Sequence, residues 1–200
     1  MNIKDHIKSK KAFLFAFDDV LYPHKDYLLQ VYYLFSEFLT YSELQNATEI
    51  LNFIKNEFEQ NGSNQIFEKT AEMFNIPLKY NDNFKLLHQT ARLPLKLLLY
   101  QQILTLLQEL VVERKEIFLV LEGDTAIQLN KVKQTEWHGL ESYLKLYFVE
   151  EYNSLGECIK GIIDLNSLNA SEIVFVGNKK ELEIGLKPTE VDYFFVTNLL

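Results

Sequence analysis

The sequence predicts an α/β protein: a three-layer core around a parallel sheet, with a helical bundle inserted after the first strand. Three observations carry this. Five short apolar runs have strand length, at 11–17, 117–121, 145–149, 173–176 and 193–196. From residue 94 onward these runs alternate with stretches of helical period, the signature of βαβ units and a parallel sheet covered on both faces. Between about Tyr22 and Leu93 only the helical period is present.

The first run, Lys11-Ala-Phe-Leu-Phe-Ala-Phe17, is closed by Asp18 and Asp19. It reads as a buried strand whose polar end emerges into solvent. Then Leu28, Val31, Tyr32, Phe35 and Phe38 fall on one helix face. Leu44, Ala47, Ile50, Leu51, Ile54 and Phe58 form a second stripe, and Asn61-Gly-Ser-Asn64 interrupts it. Ile66, Phe67, Thr70, Met73 and Phe74 predict a third helix stopped by Pro77, and a short fourth is expected from Phe84 to Ala91. A helix from Leu95 to Leu110 leads into Ile117-Phe-Leu-Val-Leu121. Thr125-Ala-Ile-Gln128 resembles a capping box that starts a helix running to about Trp137. Further helices are expected near Leu155–Leu165 and Lys179–Leu186. The implied domains are 1–22 with 94–200 as the α/β core, and 23–93 as the inserted bundle.

The composition limits what the chain does. With 48% hydrophobic and 24% charged residues, 200 residues pack as a globule. A net charge of -8 and the lack of a basic stripe argue against nucleic acid. A single cysteine, Cys158, excludes an intrachain disulfide and a cysteine-based zinc cage. No segment reads as a signal or a membrane span, so a cytoplasmic location is expected. The four histidines, His6, His24, His88 and His138, have no metal-ligand spacing. Gly123 and Gly177 read as tight turns and belong to no glycine-rich phosphate loop.

Ligands of an open parallel sheet bind beyond the carboxyl ends of its strands. The segments there are Asp18-Asp19-Val20-Leu21-Tyr22-Pro23, Glu122-Gly123-Asp124, Glu150-Glu151-Tyr152-Asn153 and Gly177-Asn178-Lys179-Lys180-Glu181. Phe15-Ala-Phe-Asp-Asp-Val-Leu-Tyr-Pro23 resembles the opening motif of the haloacid dehalogenase-like (HAD) hydrolases, Asp-x-Asp-Asp-Thr-Leu-Tyr-Pro after an apolar strand. The helical stretch that follows is similar in place and size to that family's small helical cap. Leu119 to Lys131 resembles the second motif, with Gly123, Gln128 and Lys131 at its glycine, glutamine and lysine. Val174-Phe-Val-Gly-Asn-Lys179 falls where the fourth lies. The resemblance implies a Rossmann-like HAD core with a helical cap.

What the resemblance implies for chemistry is a decayed site. The family's nucleophilic Asp forms an aspartyl-phosphate, and Ala16 stands in that place. The general acid-base Asp corresponds to Asp18, beside Asp19. The second-motif Thr or Ser becomes Leu121, and the third-motif Lys falls near Asn153. The fourth-motif carboxylates that hold magnesium fall at Asn178 and Leu182, with Glu181 and Glu183 flanking the latter. The leading expectation is a HAD-like protein without phosphatase activity, a binding or regulatory pseudoenzyme whose partner is a small molecule or a protein. Gly123, Gln128 and Lys131 are its candidate substrate-binding residues. The alternative is a phosphomonoester hydrolase with a rearranged Asp18-based site, in which Asp18 or Asp19 is the catalytic nucleophile; only there is magnesium expected, with Asn178, Glu181 or Glu183 as ligand. Each residue also has a plainer reading. Asp18 is then a strand-end carboxylate held by loop amides, Asp19 a turn residue, Asn178 a helix start, and Tyr22, Tyr27 and Tyr32 packing aromatics. A receiver-like signalling domain also pairs acids after its first strand, but it lacks a long helical insertion.

Overall fold

The structure, a computed structural model, describes residues 2–179, 186 and 189–200. Helix α1 (Ile3–Ser9) opens the chain on an Asn2 cap. Strands β1 (Ala12–Ala16), β3 (Glu116–Leu121), β5 (Leu144–Phe148), β6 (Ile173–Gly177) and β7 (Asp192–Phe195) form one sheet in the order β5-β3-β1-β6-β7. Every neighbouring pair is parallel, with Phe15 opposite both Leu119 and Val176. β1 and β6 are buried at every position, which is why they read as unbroken apolar runs rather than alternating ones. The chain winds outward from β1 through β3 to β5, then crosses to β6 on the other side. The order therefore reverses beside the carboxyl end of β1, where an open α/β sheet has its crevice.

Gly177 closes β6 because Tyr193 of β7 lies against it. A Cβ at 177 would stand 2.8 Å from the Tyr193 ring carbon Cζ. The Tyr193 hydroxyl donates to the Lys179 carbonyl at 2.9 Å. Cys158, within α8 (Leu155–Leu165), is fully buried, and burial pushes its thiol up to about 12.

The chain divides into two compact units: residues 1–24, 97–128 and 135–200, and residues 25–96 with 129–134. The second contains α2 (His24–Glu43), α3 (Ala47–Asn61), α4 (Ile66–Phe74) and α5 (Asn81–Thr90). Its core is aromatic. Phe84 meets Phe35 edge-on at 4.9 Å between ring centroids and stacks on Tyr32 at 6.1 Å. Asn46 caps α3 by accepting from the Thr48 and Glu49 amides. Gly62 ends it at φ 71, a conformation that favours glycine.

Three expectations need correction. The helix expected from Leu95 begins at Gln101 (α6, Gln101–Val112), because β2 (Leu97–Leu98) pairs with β4 (Thr135–Glu136). The same pairing ends α7 (Thr125–Gln134) before Trp137. Gln128 does not complete a capping box. Asp124 Oδ1 accepts from the Ile127 amide at 2.9 Å, and the Gln128 amide turns elsewhere. The helix expected at Lys179–Leu186 lies outside the described residues. Among the described residues no helix is long and apolar enough to cross a membrane.

Candidate functional site

β1 delivers Ala16 to the carboxyl edge of the sheet, and the chain then folds back on itself. The Val20 and Leu21 amides donate to the Phe17 carbonyl, and the Asp19 amide to the Tyr22 carbonyl. Asp19 sits at φ 57, which aspartate tolerates better than most residues. Its carboxylate accepts from the His24 amide at 2.8 Å. It is the turn-and-start residue of the plainer reading.

The turn brings Tyr22 and His24 to Asp18, and α7 brings Gln128. The buried Tyr22 hydroxyl donates to Oδ1 at 2.6 Å. His24 Nδ1 lies 3.1 Å from the same oxygen. Gln128 Nε2 donates to Oδ2 at 3.2 Å. These side chains orient Asp18, and its own side chain is 27% exposed.

Gln128 is only 4% exposed. Its Nε2 also donates to the Glu122 carbonyl at 2.6 Å, while its Oε1 is buried with no hydrogen-bond partner. The β3–α7 loop is pinned around it. Gly123 adopts φ 95, and Glu150 accepts from both the Thr125 amide and hydroxyl at 2.8 Å.

A cavity of about 100 Å³ opens at these strand ends. Ala16, Asp18 and Gln128 line it with Asn178, and Phe17, Val120, Glu122 and Lys179 complete its wall. Four residues singled out in the sequence therefore meet around one space. The other named residues have their own surroundings. Leu121 is fully buried in the sheet, next to lining residues on either side. Asn153 is exposed in the turn before α8, whose cap is the neighbouring Ser154. Lys131, 3% exposed, belongs to the helical unit, where its Nζ stands 4.8 Å over the Tyr27 ring. Gly123 shapes the loop, and a Cβ there would stand 3.9 Å from Gln128 Nε2. Glu181, Leu182 and Glu183 lie outside the described residues. The sequence reading missed Tyr22 and His24 as supports of Asp18. The available signal was their position, four and six residues beyond it, across a turn whose path the sequence does not display.

No family model matches the sequence, and no curated protein matches it significantly. Solved structures do resemble it. A HAD-like family hydrolase of Xanthomonas campestris is 14% identical, with 94% of this chain and 81% of that one covered and a TM-score of 0.55. An L-2-haloacid dehalogenase is 14% identical over 93% of this chain and 84% of its own, with a TM-score of 0.56. The HAD-hydrolase YfnB of Bacillus subtilis, in a magnesium-bound form, is 13% identical over 92% and 85%, also at 0.56. The chain shares the fold of the HAD-like hydrolases: a Rossmann-like α/β core with a parallel five-stranded sheet.

The described residues do not fit a magnesium ion, which needs several oxygen ligands in near-octahedral order. No three His, Cys, Asp or Glu side chains among them converge to hold a metal. Ala16 brings a methyl group to the cavity, and the Asn178 amide nitrogen is turned to the Asp19 carbonyl at 3.4 Å.

Proposed function

We propose that this chain is a HAD-fold protein that has lost hydrolase chemistry and acts by binding a small molecule or another protein. The observation that carries the reading is Ala16. Its methyl group lines the cavity at the end of the central strand, where the family's chemistry needs an attacking oxygen. A methyl group forms no bond to phosphorus. Two further family positions have lost their polar group. Asn153 supplies no ammonium group, Leu121 no hydroxyl, and the described donors fit no divalent ion. In this reading residues 1–22 and 94–200 are the core, residues 23–93 its cap, and the protein is cytoplasmic.

A second reading, a phosphomonoester hydrolase built on Asp18, has one observation in its favour: Asp18 lines the same cavity. Against it, both Asp18 oxygens are engaged by neighbouring side chains, which lowers the carboxylate's nucleophilicity. Hydrolysis of generic phosphomonoesters by the purified chain with magnesium separates the two. The binding reading expects only background release of phosphate, in the wild type and in Ala16→Asp alike. Turnover well above background that disappears in Asp18→Asn establishes the second reading.

A further inference from the structure

We propose that α1 is an acid-released clasp on the outermost strand β7, freed when His6 gains a proton. The clasp uses none of the described residues that line the strand-end cavity.

Helix α1 has seven residues, too few to hold together in water without docking. Its docking face is Ile3, His6 and Ile7, which share one side by their spacing, while Lys4, Asp5, Lys8 and Ser9 are exposed. One of its three buried side chains is therefore a titratable ring. His6 is 4% exposed and meets Phe194 of β7 edge-on at 5.9 Å between ring centroids. Its Nδ1 is buried with no hydrogen-bond partner among the described residues. Just past the helix, Lys10 fastens the chain. Its Nζ donates to the Ser171 carbonyl at 2.7 Å and pairs with Asp192 of β7 at 2.5 Å. That anchor does not involve the imidazole, so release pivots at Lys10 and frees residues 2–9.

A neutral imidazole suits this place and an imidazolium does not. The neutral ring can leave Nδ1 bare, whereas the charged ring carries N–H on both nitrogens and needs an acceptor where none stands. Burial is the main cause that holds His6 below its ordinary 6.5. Of the charges that reach the ring, Asp192 on β7 and Asp5 on α1 act against burial, and Lys10 and the amino terminus act with it. Asp192 is already engaged by Lys10. The released helix gives the ring to water and takes the proton first. Acid below about 6.5 therefore draws the balance toward release, and above it the balance is unchanged. Release uncovers Phe194, itself 4% exposed, on the last strand of the sheet.

Amide hydrogen exchange of the full chain, from about pH 7.5 to about pH 5.5 and corrected for the intrinsic pH dependence, tests this. The Ile7 amide and the Lys10 amide, which donates to the His6 carbonyl at 2.8 Å, report release, and Phe13 and Leu14 in β1 report global opening. Protection at Ile7 and Lys10 is expected to lie about tenfold or more below that at Phe13 and Leu14, and to be insensitive to low urea because local opening exposes little surface. It is expected to fall by about threefold or more into acid. His6→Phe, which keeps an aromatic ring against Phe194, is expected to remove that fall. The His6 ring protons of the unaltered chain, followed by NMR, are expected to titrate below 6.5, a readout that stands even where the variant does not fold. Exchange at α1 that does not respond to pH, or that shares the protection and urea dependence of β1, overturns the proposal. So does a fall that persists in His6→Phe, or a ring midpoint at or above 6.5.

Discussion

Replacing Tyr22 by Phe removes one oxygen from the support of Asp18 and leaves the ring in place. The Tyr22 ring is fully buried, edge-on to Phe17 at 5.2 Å between centroids, so its packing survives. What is lost is the 2.6 Å hydrogen bond to Asp18 Oδ1. A hydrogen bond to a charged group contributes about 1.5–3 kcal/mol. Asp18 is 27% exposed, so water partly replaces the lost donor, and the expected cost falls to about 1–2 kcal/mol. For a chain of this size that corresponds to roughly 2–8 °C in Tm. Urea denaturation followed by circular dichroism measures it, and the Asp18→Asn background isolates its origin. With the carboxylate gone the bond is neutral, so Tyr22→Phe is expected to cost only about 0.5–1 kcal/mol there. An equal loss in both backgrounds would refute the claim that Tyr22 acts through the Asp18 charge.

Two other predictions rest on different parts of the core. Gly177→Ala drives a methyl group into the Tyr193 ring, with Cβ 2.8 Å from Cζ, and is expected to destabilise by about 1–3 kcal/mol. In a Tyr193→Ala background the methyl group has room and most of that cost should vanish; a cost that persists would locate the strain elsewhere. His6 is buried against Phe194. Burial holds it below its ordinary 6.5, with Lys10 and the chain's amino terminus adding to the effect and Asp192 and Asp5 opposing it. The unfolded chain takes this proton first, so stability falls as pH drops below about 6.5 and is unaffected above it. The decline in Tm between about pH 7 and pH 5 should therefore shrink in His6→Phe. An identical decline in wild type and variant would remove His6 from the account.

Much of the fold was legible because its physics is local. β1 and β6 are buried on both faces, so their sequences are continuous apolar runs, and α2 to α4 carry apolar stripes at helical spacing. The pairing of Leu97–Leu98 with Thr135–Glu136 was not legible. Two residues make no periodic pattern, and their partners are far away in sequence. That pairing moved the ends of both α6 and α7. The site divides in the same way. Ala16, Asp18, Gln128 and Asn178 follow from asking what lies at the strand ends, and all four line one cavity. The grip of Tyr22 and His24 on Asp18 depends on the turn through Asp19 at φ 57, which no residue spacing encodes. Lys131, one turn beyond Gln128 on the same helix, was expected at the same site. Within the helical unit it stands over the Tyr27 ring.

The central claim is that no group on this chain accepts a phosphoryl group from a substrate. Acid-quenched intact-mass spectrometry of the chain, after incubation with p-nitrophenyl phosphate and magnesium, addresses it directly. The account predicts an unchanged mass at every time point. A transient species heavier by one phosphoryl group, absent when Asp18 is replaced by Asn, would contradict it.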